Sequence, residues 1–217
     1  PLHGQPGLAA EALVRWQHPH RGLVPPMQFI PFAEQTGFVR HLTLWMFEEV
    51  ARLLADPRTQ GLPLRVSVNL STRDLLDPEL SHRLADILAR HGVAASAFCL
   101  EITESAIMDD PQRAEAMLNR LSEQGFKLSI DDFGTGYSSL AYLKRLPVDE
   151  LKIDKSFVMG METGEDDAMI VRSTIDLAHN LGLTVVAEGV ETAAILEHLR
   201  LLACDEAQGY HLSLIHI

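Results

Sequence analysis

The sequence of 217 residues predicts a single α/β domain built on a parallel sheet. The apolar alternation typical of strands and the 3.6-residue periodicity typical of helices take turns from end to end. The connections between these elements are short, and no low-complexity stretch divides the chain. A hydrophobic fraction of 47% with 22% charged residues excludes a mainly disordered protein.

In the first half of the chain, proline and glycine mark the ends of the predicted helices. Pro25 and Pro26 open the first helix, which ends near Gly37, and the second helix ends before Pro57. Gly92 and Gly125 close two later helices. The predicted strands lie at residues 8–14, 64–70, 98–102 and 126–130, and the predicted helices at 25–37, 38–55, 78–90 and 111–124.

The second half continues the pattern and sets the strand count at seven. Strands are predicted at 148–153, 184–187 and 205–207, and helices at 166–181 and 192–201. Such a pattern fits either a doubly wound sheet or a closed barrel. A (β/α)8 TIM-type barrel needs eight strands and about 250 residues. As a barrel, the chain is therefore about one strand and one helix short.

The charge balance excludes one class of partner. Lys and Arg number 18 and Asp and Glu 30, so the formal charge of −12 repels polymeric nucleic acid. One small anionic ligand stays possible, because bound cations reverse the sign of a pocket locally.

The cysteine count and the hydropathy pattern predict a reducing, cytoplasmic compartment. Two cysteines, Cys99 and Cys204, are too few for a disulfide scaffold or a zinc-thiolate site, so we expect two buried thiols in a reducing environment. No apolar run reaches the ~20 residues that span a bilayer, and no leader opens the chain. We therefore expect a cytoplasmic segment without membrane contact, with any membrane anchor in flanking sequence.

Polar side chains gather at or just after the predicted strands. They are Glu11, Asn69, Glu101, Glu104, Asp131, Asp132, Lys152, Asp154, Glu188, Glu191 and Gln208. Because the carboxyl ends of parallel strands open on one face, these residues predict a converging site. Carboxylates so close together need compensation, and oxygen ligands select hard cations such as Mg²⁺ or Mn²⁺ over zinc. The adjacent aspartates suit two metals, a common device for in-line displacement at phosphorus.

Each of these residues also has a simpler interpretation. Glu11 fits an exposed edge position, and the two adjacent aspartates fit a turn. Glu101 with Glu104 fits the first turn of a helix facing its dipole. Lys152 fits a surface charge with a snorkelling stem, or a structural salt bridge to Asp154 or Glu188. Taken singly, most of these residues favour the simpler interpretation, but their recurrence at successive strand ends favours a shared site.

Eight ordered motifs between about residues 4 and 213 resemble those of the EAL family of cyclic di-GMP phosphodiesterases. They are EALVRW at 11–16, PPMQFIP at 25–31, SVNLS at 67–71, EITES at 101–105, DDFGTGYSSL at 131–140, LKIDKSFV at 151–158, AEGVET at 187–192 and QGY at 208–210. The resemblance implies a (β/α)8-type barrel that hydrolyses cyclic di-GMP to the linear dinucleotide with two Mg²⁺ or Mn²⁺ ions. It also implies a homodimer.

The resemblance also implies a role for each site residue. The implied metal ligands are Glu11, Asn69, Glu101 and Asp131 at the first ion, with Asp131 bridging and Asp132 at the second ion. The implied catalytic residues are Lys152, Glu188 and Gln208, the phosphate contact is Arg15, and the supporting residues are Glu104, Asp154 and Glu191. Glu104 is expected to steady the loop after the fourth strand, which carries Gly134, Thr135 and Gly136.

Measured against the family pattern, the chain is expected to be clipped at both ends. The family begins with an earlier strand that contains a Tyr-Gln-Pro motif, and it continues after Ser213 with Arg-Pro and a closing helix. We therefore expect one truncated barrel at residues 1–213 and a tail at 214–217 that matches nothing in the family. Two alternatives to an active enzyme follow, a catalytically silent cyclic di-GMP sensor or interaction module, and a barrel made inert by truncation. Retention of every metal position favours the enzyme.

Overall fold

The computed structural model describes residues 1–2, 8–59, 61–134, 140–162 and 164–212. The chain divides into two compact units, which we call the first unit (residues 7–127) and the second unit (residues 1–6 with 128–217). Within the described residues, no helix combines the length and apolar character needed to cross a bilayer.

The first unit is built on three parallel strands in the order β1, β4, β5. These are β1 (Leu8–Glu11), β4 (Leu64–Leu70) and β5 (Phe98–Thr103). Glu11 lies opposite Ser67, and Asn69 lies opposite Glu101. Because the strands run parallel, their polar carboxyl ends lie at one edge of this sheet.

A two-stranded hairpin follows β1, and the sequence analysis did not predict it. Its strands are β2 (Trp16–His18) and β3 (Gly22–Val24), which pair antiparallel. The single strand predicted at 8–14 was therefore too long, since β1 ends at Glu11. The Trp16 ring packs edge-on against Phe29, and the Arg21 guanidinium donates to Gln28 Oε1 at 2.8 Å. These contacts attach the hairpin to the following helix.

The helices of the first unit cover the sheet through an aromatic core. They are α1 (Pro26–Thr36), α2 (Val39–Ala55), α3 (Thr72–Leu75), α4 (Leu80–His91), α5 (Glu104–Met108) and α6 (Pro111–Glu123), with a 3₁₀ turn at Ala95–Ala97. The rings of Phe47 on α2 and Phe98 on β5 stack at 5.1 Å, and Phe126 packs edge-on against both. All three side chains are buried, and their contacts fix α2 against β5.

The second unit contains four parallel strands in the order β6, β7, β8, β9. These are β6 (Lys127–Phe133), which begins at the boundary between the units, β7 (Glu150–Ile153), β8 (Thr184–Ala187) and β9 (Glu206–Ala207). The helices are α7 (Leu140–Leu143), α8 (Lys155–Gly160), α9 (Glu165–Asn180) and α10 (Ala193–Leu201). All four residues of β7 are buried, as expected for a strand with a neighbour on each side and cover on both faces.

The predicted strands agree with the seven parallel strands of the described residues, with shifts at their ends. The largest shifts are at β6, which runs three residues beyond the predicted end at Ile130, and at β1. Both cysteine side chains are buried, as predicted, and burial raises the pKa of the Cys204 thiol to about 12. The predicted loop residues 135–139, the predicted domain end at Ser213 and the predicted tail at 214–217 lie outside the described residues.

Candidate active site

Lys152 occupies the centre of the polar cluster in the second unit. It lies on β7, hydrogen-bonded between β6 and β8, and only 1% of its surface is exposed. Its Nζ lies 2.7 Å from Glu188 Oε1 and 3.3 Å from Asp131 Oδ1. A buried ammonium requires such partners because the loss of hydration is costly. The alternative of a surface charge is therefore wrong for Lys152.

An irregularity in β6 brings two successive aspartates to the same place. In a regular strand, neighbouring side chains point to opposite faces. The pairing of β6 with β7 shifts register between Ile130 and Phe133, and Asp132 has a φ of 54°, in the left-handed region. Carboxylate oxygens of Asp131, Asp132 and Glu188 consequently lie within 4.8 Å of one another. Bulges of this kind often re-aim side chains at functional sites.

This placement corrects two details of the sequence analysis. Asp131 and Asp132 lie inside β6 rather than after it, so the alternative of a simple turn is wrong. The Asp132 N–H donates to Asp131 Oδ1 at 3.0 Å, which fixes the first carboxylate relative to the backbone of the second.

The electrostatics of the aspartates indicate a need for positive charge. Burial raises the pKa of Asp132, and the charges of Asp131 and Asp154 raise it further, although Lys152 opposes them. Burial would also raise the pKa of Asp154, but hydrogen bonds from the Ser156 hydroxyl and N–H and from Asp132, together with the charge of Lys155, outweigh it, and this pKa is lowered. A divalent cation beside these carboxylates would favour their charged forms, so the donor set fits a hard cation.

Glu188 and Gln208 are held through the backbone at the ends of β8 and β9. The Glu188 N–H donates to the Ile153 carbonyl at 3.2 Å, and the Gln208 N–H donates to the Ala187 carbonyl at 2.8 Å. The Gln208 carbonyl accepts the N–H of Val190 at 3.0 Å. Glu188 is partly buried and Gln208 is exposed. Both residues thus stand where the sequence analysis expected them, just beyond a strand.

The first unit carries a second group of side chains with oxygen atoms, which the sequence analysis predicted as metal ligands. The Asn69 Nδ2 donates to Glu11 Oε1 at 3.0 Å, so the amide carbonyl end is turned away from that carboxylate. Glu101, on the neighbouring strand, lies opposite Asn69 in the register and is 2% exposed. Glu11 is partly buried at the end of β1. Two carboxylates and one amide at one sheet edge again suit Mg²⁺ or Mn²⁺.

The remaining predicted residues lie around these two groups. Arg15 is exposed between β1 and β2, and its guanidinium donates to the Val14 carbonyl at 3.0 Å. Glu191 is exposed after β8. Glu104 is the first residue of α5, which agrees with the alternative of a helix first turn. Glu101 lies inside β5, so that alternative is wrong for Glu101.

Glu104 is buried although it carries a carboxylate. Its side chain is 8% exposed, and neither of its oxygens has a hydrogen-bond partner among the described residues. Most of the loop that it is expected to steady, residues 135–139, lies outside those residues. Its supporting role stays a prediction.

The sequence analysis did not identify several residues that form hydrogen bonds with residues at or next to the site. Asp154 caps α8 by accepting the Ser156 N–H, and Ser71 caps α3 in a capping box with Asp74, which also accepts a hydrogen bond from Thr43. Both caps follow a strand directly. The spacing of Ser71 and Asp74 is that of a capping box, a signal that is visible in the sequence.

The geometry can now be compared with known proteins. The sequence matches the family described as EAL domain over residues 4–214. It is 43% identical over 206 residues to the bifunctional diguanylate cyclase/cyclic di-GMP phosphodiesterase MucR of Pseudomonas aeruginosa, covering 94% of this chain and 30% of that protein. It is 44% identical over 218 residues to the cyclic di-GMP phosphodiesterase NbdA of the same organism, covering 96% of this chain and 28% of that protein. The chain thus spans under a third of the length of these relatives.

A solved structure supports the same relationship. The MucR phosphodiesterase in complex with c-di-GMP superposes with a TM-score of 0.89 at 43% identity, covering 94% of this chain and 83% of that one. This similarity confirms the fold class predicted above, an α/β fold of the (β/α)8 barrel type. With the family match over nearly its whole length, the chain belongs to the EAL domain family.

Proposed function

We propose that this chain hydrolyses cyclic di-GMP to the linear dinucleotide pGpG with the help of two Mg²⁺ or Mn²⁺ ions. The observation that carries the proposal is the buried Lys152 ammonium among the carboxylates of Asp131, Asp132 and Glu188. The named phosphodiesterases among the relatives of the chain support the choice of substrate.

Each unit carries side chains with oxygen atoms that are proposed to bind a cation. Asp131 and Asp132 lie in the second unit, and Glu11, Asn69 and Glu101 lie in the first. When bound, divalent cations neutralise phosphate charge and make a coordinated water a stronger nucleophile. Asp131 and Asp132 would hold a cation through carboxylate oxygens that lie within 4.8 Å of each other.

Lys152 is proposed to orient the attacking water and the phosphate oxygen that develops charge. Two carboxylates hold its Nζ in one position, so its N–H groups are preorganised and need no rearrangement during the reaction. Glu188, at 2.7 Å from that Nζ, is the proposed proton acceptor. Gln208 is proposed to contact the water.

Arg15 is proposed to bind a phosphate of the substrate. Its guanidinium is exposed and lies four residues after Glu11, close along the chain to the proposed ligands. A guanidinium can donate two parallel hydrogen bonds to phosphate oxygens, which suits a cyclic dinucleotide with two phosphodiesters.

A turnover assay tests the proposal and separates it from its alternatives. The purified chain is incubated with cyclic di-GMP and Mn²⁺, product is followed by chromatography, and binding is measured by calorimetry. We expect turnover by the wild type and its loss in Glu11→Ala, with the melting temperature nearly unchanged. The control Glu197→Ala removes an exposed carboxylate that pairs with Arg200 on α10, and it should keep full activity.

Three results would contradict the proposal. Binding without turnover would indicate a silent sensor or interaction module, and neither binding nor turnover would indicate an inert chain. Near-normal rates in Glu11→Ala at saturating Mn²⁺ would remove Glu11 from the ligand set.

A further inference from the structure

Strand β4 ends at Leu70, one residue after Asn69, and the capping box that begins α3 forms a turn directly after it. Ser71 begins the turn, and its N–H and its hydroxyl both donate to Asp74 Oδ2, at 2.8 Å and 2.6 Å. The Asp74 N–H returns a hydrogen bond to the Ser71 hydroxyl oxygen at 3.3 Å. Asp74 is 1% exposed. We call residues 71–74 the β4 turn.

Helix α2 holds the β4 turn from outside. The Thr43 hydroxyl donates to Asp74 Oδ2 at 2.9 Å, and the Arg40 Nε donates to the Arg73 carbonyl at 3.1 Å. Residues three apart lie on one face of a helix, so Thr43 and Arg40 reach the turn together. Thr43 is itself buried, and its hydroxyl is a hydrogen-bond donor to a buried carboxylate.

Asn69 lies two residues before Ser71, so the β4 turn is the first element after Asn69 that is held by hydrogen bonds. The pairing of β1 with β4 ends at Glu11 opposite Ser67, two residues before Asn69. On the other side, Asn69 and Leu70 still pair with β5. The position of Asn69 between β5 and the turn decides whether its amide meets Glu11 Oε1, at 3.0 Å.

We propose that Thr43 is a positioning residue for the Asn69–Glu11 pair. It acts through Asp74 and the β4 turn, and it touches neither the substrate nor a cation. The inference rests on the proposed function, because it takes Asn69 and Glu11 as cation ligands. It assigns to α2, which contributes no ligand in that proposal, a role in presenting one.

Thr43→Val keeps the shape of the side chain and removes its only donor. Asp74 then keeps its bonds to Ser71 but loses its bond to α2. The turn keeps the Arg40 bond to the Arg73 carbonyl, but it is held more loosely and can shift with Asp74, and the end of β4 shifts with it. Partners that orient a ligand from behind typically affect cation affinity by about 10- to 100-fold, and this effect, transmitted through a turn, falls at the low end.

Mn²⁺ binding without substrate tests the inference. Free Mn²⁺ is measured by electron paramagnetic resonance, and kcat is measured separately at saturating Mn²⁺. We expect Thr43→Val to raise the Mn²⁺ dissociation constant about tenfold, with kcat at saturating Mn²⁺ within about twofold of the wild type. Thr43→Ser restores the hydroxyl and should restore the affinity.

Two further variants separate positioning from stability. Thr59→Val makes the same change just beyond the carboxyl end of α2, where the Thr59 hydroxyl donates to the Leu53 carbonyl at 2.6 Å. This variant should lower the melting temperature without weakening Mn²⁺ binding. Arg40→Met removes the bond from α2 to the Arg73 carbonyl. Because the Arg40 side chain is 39% exposed, the variant should fold, and its Mn²⁺ binding should be weakened as in Thr43→Val.

The outcomes distinguish this inference from the proposed function. Wild-type Mn²⁺ affinity in both Thr43→Val and Arg40→Met overturns the positioning role alone. Equal weakening in Thr59→Val overturns it as well, since the effect is then general instability. A wild-type chain that binds no Mn²⁺ overturns both the inference and the proposed function. A chain that binds Mn²⁺ but does not hydrolyse cyclic di-GMP overturns only the latter.

Discussion

Replacing Gly209 by alanine tests the backbone that carries Gln208. An added Cβ would lie 2.2 Å from the Val190 carbonyl oxygen and 2.3 Å from its nitrogen. Contacts under 3.0 Å are essentially never seen for real Cβ atoms, and both obstructing atoms belong to the backbone. The segment that bears Gln208 must therefore move by roughly 1 Å.

The magnitude follows from the hydrogen bonds that this movement strains. Three of them join the segment to its neighbours, at 2.8 Å, 3.0 Å and 3.1 Å. At about 1 kcal/mol each, weakening them should lower the free energy of unfolding by about 2–3 kcal/mol. A displacement of about 1 Å near reacting groups can lower a rate about 10²-fold. Gly209→Ala should therefore lose both stability and kcat.

The assay combines urea unfolding with kcat and KM for cyclic di-GMP in Mn²⁺. Gly182→Ala is the matched control in the same unit, because its φ is +77° and nothing lies within 4 Å of the added Cβ. It should lose only about 1 kcal/mol to backbone strain and keep its kcat. A Gly209→Ala enzyme with wild-type kcat would refute the role given to the Gln208 backbone.

Three further predictions address charge. Lys152→Met should lower kcat about 10²-fold or more while keeping cyclic di-GMP binding; a variant that melts early but turns over normally per folded molecule contradicts the catalytic role. Ca²⁺ as the sole ion should permit binding without turnover, because it prefers longer bonds and more ligands, and full activity would argue against the two-metal site. The His91 hydrogen bond, opposed by burial and aided by Arg90, lowers the pKa of Glu48. The stabilisation by the Glu48 carboxylate is therefore present above the ordinary pKa of 4.5 and lost as the pH falls through the lowered pKa. The cost of Glu48→Gln, about 1 kcal/mol at pH 7, should shrink as the pH falls below 4.5. Unfolding curves of both proteins across pH check this, and a cost that stays constant as the pH falls contradicts it.

Long elements with a clear periodicity were predictable from the sequence. The parallel strands and the longer helices have enough residues to display alternation or a helical stripe. Strands β2 and β3 have three residues each, and helices α3, α5, α7 and α8 have four to six, so none completes a readable period. Caps such as Ser71 and Asp154 are the local signals that could have located two of these helices.

At the site, the sequence predicted which residues lie at strand ends but not how they are aimed. The sequence placed Lys152 in the predicted strand at 148–153, but the pattern did not show that all four residues of β7 are buried or that the Lys152 ammonium lies between two carboxylates. The left-handed backbone at Asp132 depends on the pairing of β6 with β7, which no local residue preference encodes.

The chemistry at phosphorus offers the most direct test of the central claim. Cyclic di-GMP is incubated with the purified chain and Mn²⁺ in ¹⁸O-enriched water, and the product is identified by mass spectrometry. Hydrolysis by direct attack of water breaks one P–O bond and predicts pGpG with a single ¹⁸O on its terminal phosphate. Intact cyclic di-GMP, or a linear product without the label, would contradict the account.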